Sequence, residues 1–206
     1  MKNYQQASVH SQRNKKHGIY TYRRIIRRLV IRFFYPESTA MHLNVEIKAH
    51  CASPTIIRKI LLDNNADFKG IDEQEDTYFN VPEGRLKLRL GPIEKSLIFY
   101  NRKNDSGPKA SEVTMMEAIN GDALKQVLTK ALGIKVVVKK NREIYFIENV
   151  KFHIDVVPGL GSFVEIEAID IAGYIGRQKL DEQCRFYIDL FGIKDEDLIN
   201  VSYSDM

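Results

Sequence analysis

The sequence predicts an α+β fold in which about eight antiparallel strands follow one another in hairpin-like order, flanked by helices and preceded by a basic N-terminal extension. Three observations predict it. Asn44-Val45-Glu46-Ile47-Lys48 and Glu165-Ile166-Glu167 place polar or ionisable side chains at every second position, the period of one face of a β-strand. Lys87-Leu88-Arg89, Lys109-Ala110-Ser111 and Lys140-Asn141-Arg142 repeat that pattern between them. Clusters of Pro, Gly, Asn and Asp separate these runs at hairpin spacing, while helix start and stop signals recur in a few places only. Eight strands are enough to close into a barrel, and closure would turn the charged faces inward together.

The elements follow in order. His42–His50 reads as the first strand. Ser53-Pro54 supplies an N-cap and a first-turn proline for a helix reaching about Asn64. Glu73–Val81 is a strand, and Val81-Pro82-Glu83-Gly84 turns it into Arg85–Leu90. Lys95–Arg102 follows, then the turn Asn104-Asp105-Ser106-Gly107-Pro108 and the strand Lys109–Ile119. A helix from Asp122 to Leu132 stops at Gly133, a residue suited to the left-handed C′ position. Val136–Glu148 and Lys151–Val156 are strands, and Pro158-Gly159-Leu160-Gly161 sets the register of the last strand, Phe163–Ile169. The final helix, Ile175–Phe191, stops at Gly192. Tyr78, Phe79, Tyr145 and Phe146 are expected to pack the outside of the barrel under the helices.

Bulk properties narrow the class. Length suits one domain with a sizeable core, and 44% hydrophobic with 28% charged residues is ordinary for a globular protein. The net charge of +4 conceals an asymmetry: residues 1–40 hold nine of the 31 Lys/Arg and one of the 27 Asp/Glu, so the remainder is mildly acidic. That argues against a nucleic-acid partner. Cys51 and Cys184 lie far apart without C-x-x-C spacing, which excludes a disulfide framework and makes a reducing, cytoplasmic setting the expectation. Residues 1–19 read as disordered. From Tyr22 to Phe34 apolar residues recur at helical spacing opposite five arginines, an amphipathic helix over 20–35 through which any membrane contact would have to come. The recognisable pattern begins only at residue 42, and a start at Met41 would leave residues 1–40 out of the protein. The expected domain is therefore 41–206.

The alternating charges suggest a chemistry. Glu46, Glu165 and Glu167 are hard oxygen donors suited to Mg²⁺ or Mn²⁺. Lys48, Lys87, Arg89, Arg102, Lys109, Lys140 and Arg142 would line the opposite wall. A triphosphate needs both kinds of partner, metal bridging its oxygens and cations neutralising the rest. So many cations facing one cavity would be intolerable without an anion or matching carboxylates. Any one of these motifs alone is better read as a solvated strand face; together they reverse that reading.

The sequence resembles the CYTH superfamily, the triphosphate tunnel metalloenzymes, and within it the class IV adenylyl cyclases. The resemblance rests on Asn44-Val45-Glu46-Ile47-Lys48, Gln74-Glu75-Asp76-Thr77-Tyr78-Phe79, Gly84-Arg85-Leu86-Lys87-Leu88-Arg89, Lys140-Asn141-Arg142-Glu143-Ile144-Tyr145-Phe146, Phe152-His153-Ile154-Asp155 and Gly159-Leu160-Gly161-Ser162-Phe163-Val164-Glu165-Ile166-Glu167. It implies an eight-stranded antiparallel barrel forming a triphosphate tunnel, with metal on Glu46, Glu165 and Glu167. Asp155 would be a ligand or orienting acid, and Lys48 and Asp155 the catalytic pair. Phosphate would be gripped by Lys48, Lys87, Arg89, Lys109, Lys140 and Arg142. Two positions depart from the family pattern: Asn44 replaces the first glutamate, and Tyr100 stands where many relatives place a tunnel lysine, with Arg102 two residues on. Dimers occur among relatives, so a homodimer is a further expectation.

Three functions stay open: a metal-dependent adenylyl cyclase converting ATP to cyclic AMP and pyrophosphate, a triphosphatase acting on inorganic, thiamine or nucleoside triphosphate, and a non-catalytic polyphosphate or nucleotide sensor. His153 reads as structural, and Tyr203 as a candidate plug at one tunnel end.

Overall fold

The structure, a computed structural model, describes residues 40–101 and 107–206, with side chains from His42 onward. The expected helix over 20–35 and Arg102 lie outside the described residues. Eight strands form the barrel: β1 (Ala40–His50), β2 (Asp67–Phe79), β3 (Arg85–Leu90), β4 (Lys95–Asn101), β5 (Lys109–Glu117), β6 (Ile134–Ile147), β7 (Val150–Val157) and β8 (Gly161–Asp170). They close in the order β1-β5-β4-β3-β2-β6-β7-β8, with each of the eight neighbouring pairs antiparallel. Among the described residues three α-helices accompany them: α1 (Pro54–Asp63), α2 (Gly121–Leu132) and α3 (Arg177–Phe191).

The pleat sorts side chains between two environments. Val45, Ile47 and Ala49 of β1, Phe152 and Ile154 of β7, and Val164, Ile166 and Ala168 of β8 face outward. There they form one cluster with Ile57 and Leu61 of α1 and Leu180, Cys184 and Phe191 of α3. The aromatic edge of Phe152 meets Tyr187 and Phe191. A smaller cluster lies under α2, where Leu124, Leu128 and Leu132 cover Phe79, Leu88 and Ala118. The larger part of the apolar core is therefore outside the barrel wall, and the alternate residues of the same strands are left to fill its interior.

Most element bounds shift by a few residues, and two differences from expectation bear on the interior. β2 starts six residues earlier than Glu73 because a register shift between Phe68 and Gly70 lets it continue alongside β6. Tyr78 points inward, clustering with Val138, Val157, Phe163, Ile199 and Tyr203 rather than under a helix. It shares the face of Asp72, Gln74 and Asp76, as the strand period requires.

β1 pairs with β5 only up to Glu46↔Lys109, which leaves its last residues without that neighbour. The C-terminal segment fills the gap: Ala49 bridges Leu198, and the Ile199 N–H donates to the Lys48 carbonyl at 2.8 Å. This draws Ser202 and Tyr203 to one end of the barrel. Arg85 and Leu90, at the two ends of β3, mark opposite ends of the interior.

Candidate active site

Register places the charged residues side by side. On β1 and β8, Glu46 lies opposite Glu167 and Lys48 opposite Glu165. Lys109 lies opposite Glu46, Lys151 opposite Glu167, and Arg142 opposite Asp155. On the far side Arg89 lies opposite Asp76 and Lys140 opposite Gln74. Lys109, Lys140, Arg142, Lys151, His153 and Asp155 are all buried. Glu46, Lys48, Lys87, Glu165 and Glu167 are partly buried.

Cations and carboxylates pair within this interior instead of facing each other as separate walls. Asp155 accepts from Arg142 Nε at 2.7 Å and Nη2 at 2.5 Å, and from the Tyr203 hydroxyl at 2.8 Å. Glu165 accepts from Arg142 Nη2 at 2.7 Å and pairs with Lys48 Nζ at 3.0 Å and His153 Nδ1 at 3.0 Å. Asp76 accepts from Lys140 at 2.7 Å, from Arg89 at 2.9 and 3.1 Å, and from Lys87 at 3.3 Å. Glu94 accepts from Arg89 Nη1 at 2.9 Å, from Gln74 Nε2 at 2.8 Å and from Lys151. Lys109 Nζ donates to the Ile199 carbonyl at 3.1 Å.

These contacts set the protonation states. Burial works to raise the Asp76 carboxyl, but Arg89, Lys140 and Lys87 outweigh it and hold the group well below the usual range. Glu165 behaves likewise under Arg142 and Lys48. Burial pulls Lys48 below the usual lysine range, with Glu165 opposing. Lys140 is pushed down to about 7 by burial, against the pull of Asp76 and with Arg142, Arg89 and Lys87 adding to the depression. His153 falls to about 4 through burial, Arg142 and Lys151, so its imidazole is neutral at pH 7. Nδ1–H then donates to Glu165 and the buried Nε2 has no hydrogen-bond partner.

Can the residues present hold a divalent cation? The Asn44 amide donates to Glu167 Oε1 at 3.1 Å, and its own buried Oδ1 has no hydrogen-bond partner. That unsatisfied oxygen flanks the register pair Glu46 and Glu167, so the donor chemistry, neutral and anionic oxygen, suits Mg²⁺ or Mn²⁺. Among the described residues no three of His, Cys, Asp and Glu form a group that could hold a metal ion. Glu165, the third expected ligand, is engaged by Lys48, Arg142 and His153. Asn44 therefore offers a neutral carbonyl oxygen beside Glu46 and Glu167.

Sequence reasoning did not give roles to Asp76, Glu94, Lys151 or Asp72. Asp72-x-Gln74-x-Asp76 on β2 and Lys151-x-His153-x-Asp155 on β7 carry the same alternation used elsewhere and were open to the same reading. Glu94 sits in a turn, where no period marks it. Tyr100, at the expected lysine position, is buried with its hydroxyl 3.2 Å from Ser202 Oγ and its ring 5.7 Å from Lys87 Nζ. Tyr203 goes further inward than an end plug: Lys48 Nζ lies 3.2 Å from its ring centroid, and Phe163 meets it edge to face.

Comparison with known proteins agrees with this geometry. The CYTH domain family profile matches residues 42–187. A protein of Methanocaldococcus jannaschii named a putative adenylate cyclase is 28% identical over 142 residues, spanning 65% of this chain and 80% of that protein. A solved structure from Pyrococcus horikoshii superposes with a TM-score of 0.69 at 23% identity, covering 79% of this chain and 98% of the other. A putative adenylyl cyclase from Hippeastrum, described as having a dominant triphosphatase activity, superposes with a TM-score of 0.51 at 15% identity over 79% and 91% of the two chains.

Proposed function

The chain belongs to the CYTH domain family, and from that premise we propose that it is a divalent-metal-dependent enzyme acting on a triphosphate, with ATP cyclised to cyclic AMP and pyrophosphate as the leading reaction. One observation carries the proposal. Lys48, Lys87, Arg89, Lys109, Lys140, Arg142 and Lys151 converge inside a single barrel beside Glu46, Glu165 and Glu167. Burying that many cations stabilises nothing by itself; it is the arrangement a polyanion requires.

In this reading Lys87, Arg89, Lys140 and Arg142 bind and orient phosphate oxygens. Asp76 and Asp155 hold those cations at fixed positions, which makes Asp155 a positioning residue behind Arg142 rather than a proton acceptor. Asn44, Glu46 and Glu167, with Glu165 beside them, would hold the divalent ion. When bound there, a divalent ion would supply positive charge against the phosphates and would lower the pKa of a hydroxyl or water. Lys48, pulled by burial below the usual lysine range and held 3.0 Å from Glu165, is the group assigned to the proton of the attacking ribose 3′-hydroxyl. The 3′-oxygen to α-phosphorus bond forms as the bond from α-phosphorus to the bridging oxygen breaks, and pyrophosphate leaves. Tyr203, over Lys48, shields that amine from solvent.

The name of the Methanocaldococcus relative supports cyclisation. The description of the Hippeastrum protein favours a second reading, in which water takes the place of the 3′-hydroxyl, attack falls on the γ-phosphorus and orthophosphate leaves. The experiment offers ATP and tripolyphosphate to the purified chain with Mg²⁺ or Mn²⁺. Cyclic AMP with stoichiometric pyrophosphate is the expected product. Orthophosphate without cyclic AMP would transfer the assignment to the triphosphatase, and binding without turnover would remove the enzyme.

A further inference from the structure

On the reading that the tunnel binds a triphosphate, we propose that Glu94 is an acidic stop that closes one end of the tunnel to phosphate and limits the length of the oligophosphate chain the protein accepts. Glu94 belongs to the turn between β3 and β4, at the end of the barrel away from Tyr203. That turn is pinned. Asp72 accepts the backbone N–H of Ile93 at 2.7 Å and of Glu94 at 3.0 Å. Gly91 passes so close that a Cβ there would stand 2.6 Å from Asp72 Oδ1. A side chain on a backbone fixed in this way is aimed, and this one points into the barrel. Its carboxylate joins three strands, taking Gln74 of β2 at 2.8 Å, Arg89 of β3 at 2.9 Å and Lys151 of β7.

Two consequences follow for an entering polyanion. Arg89 Nη1 and Lys151, which would extend the phosphate grip toward this end, are already engaged. A carboxylate and a phosphate oxygen are both acceptors, so no hydrogen bond relieves their repulsion. Asp76 makes the contrast. It also neutralises tunnel cations, but from the middle of β2, where it sets the charge of the wall without blocking its length. At the opposite end Asp205 takes Arg85 at 2.9 Å and Lys135 at 2.7 Å. Phosphate is confined between these two acidic ends, and the substrate class is a short oligophosphate or a nucleotide carrying one.

The test titrates tripolyphosphate and tetrapolyphosphate into the full chain by calorimetry, for the wild type, Glu94→Ala and Glu94→Gln. Removing the charge is expected to shift the ratio of the two affinities toward tetrapolyphosphate by about tenfold, the equivalent of one unit of pKa coupling, with the thermal melt preserved. A purely structural role would weaken both ligands together. An unchanged ratio with tripolyphosphate bound overturns the stop and leaves the triphosphate reading standing. Tetrapolyphosphate bound by the variants alone, with tripolyphosphate bound by all three proteins, supports the stop; tripolyphosphate bound by the variants alone, or no binding by any of the three, overturns both proposals. Glu94→Gln decides the matter if Glu94→Ala does not fold.

Discussion

The two faces of β8 lead opposite lives. Val164, Ile166 and Ala168 are 1%, 0% and 0% exposed and pack into the helix-covered cluster outside the wall. Glu165 and Glu167, interleaved with them, face inward among Lys48, Arg142, His153 and Asn44. Burying the first set drives folding at roughly 25 cal/mol per Å² of apolar surface. Burying the second returns little, because desolvation consumes most of the Coulomb energy of a buried pair. Stability and chemistry are thus segregated by parity along one strand. A barrel whose larger hydrophobic cluster lies outside its wall can hold an interior chosen for a ligand.

The largest effect that could break this division falls on the inner face. Replacing Glu165 and Glu167 by Gln keeps shape and removes two negative charges. Metal-dependent turnover should fall by roughly 10³-fold, in line with the loss of preorganised electrostatic groups, and Mn²⁺ binding followed by electron paramagnetic resonance should weaken with it. The melting temperature should fall by roughly 10 °C, because Lys48 loses its carboxylate partner, yet the fold should survive, because Arg142 retains both oxygens of Asp155. A double variant that unfolds would show that the inner face carries stability after all.

The complementary substitution is Phe152→Ala on the outer face. Phe152 is fully buried against Tyr187 and Phe191, so truncation should cost about 3–5 kcal/mol, the transfer and cavity terms together. Denaturant unfolding checks it. Below the melting transition the turnover of the folded fraction should stay within about twofold of the wild type, since no tunnel residue is touched.

The same parity explains what the sequence made legible. Glu46, Lys48, Arg142 and Glu165 could be placed in one interior because a strand's period of two leaves no other face for them. Eight strands and their antiparallel order followed from turns such as Pro158–Gly161, and the structure has both. Pairing across the barrel was not legible. That Lys87, Arg89 and Lys140 share Asp76, or that Glu94 reaches Lys151, depends on which strands close the circle and on a turn with no period. Tyr78 was misplaced for a related reason: an aromatic in an apolar run reads as core, and here part of the core lines the end of the tunnel beside Phe163 and Tyr203.

Lys140 offers the finest test of the division, through pH. In the folded chain it is pushed down to about 7, whereas an unfolded chain keeps the ordinary lysine value near 10.4. Between those values the unfolded state binds the extra proton, so the penalty for burying charged Lys140 is fully present below about pH 7 and fades as pH rises toward 10. Stability from this residue therefore increases with pH. Ligand binding should run the other way. A phosphate beside Lys140 favours the ammonium, so between pH 7.5 and 9 each bound triphosphate takes up a proton, and affinity falls by at most about tenfold per pH unit. Calorimetry in two buffers of different ionisation enthalpy reads that proton directly. Lys140→Arg stays charged throughout and should bind without proton uptake. A wild type whose affinity is flat across this window would mean that Asp76 keeps Lys140 fully charged, with the pair acting as a single fixed dipole in the wall.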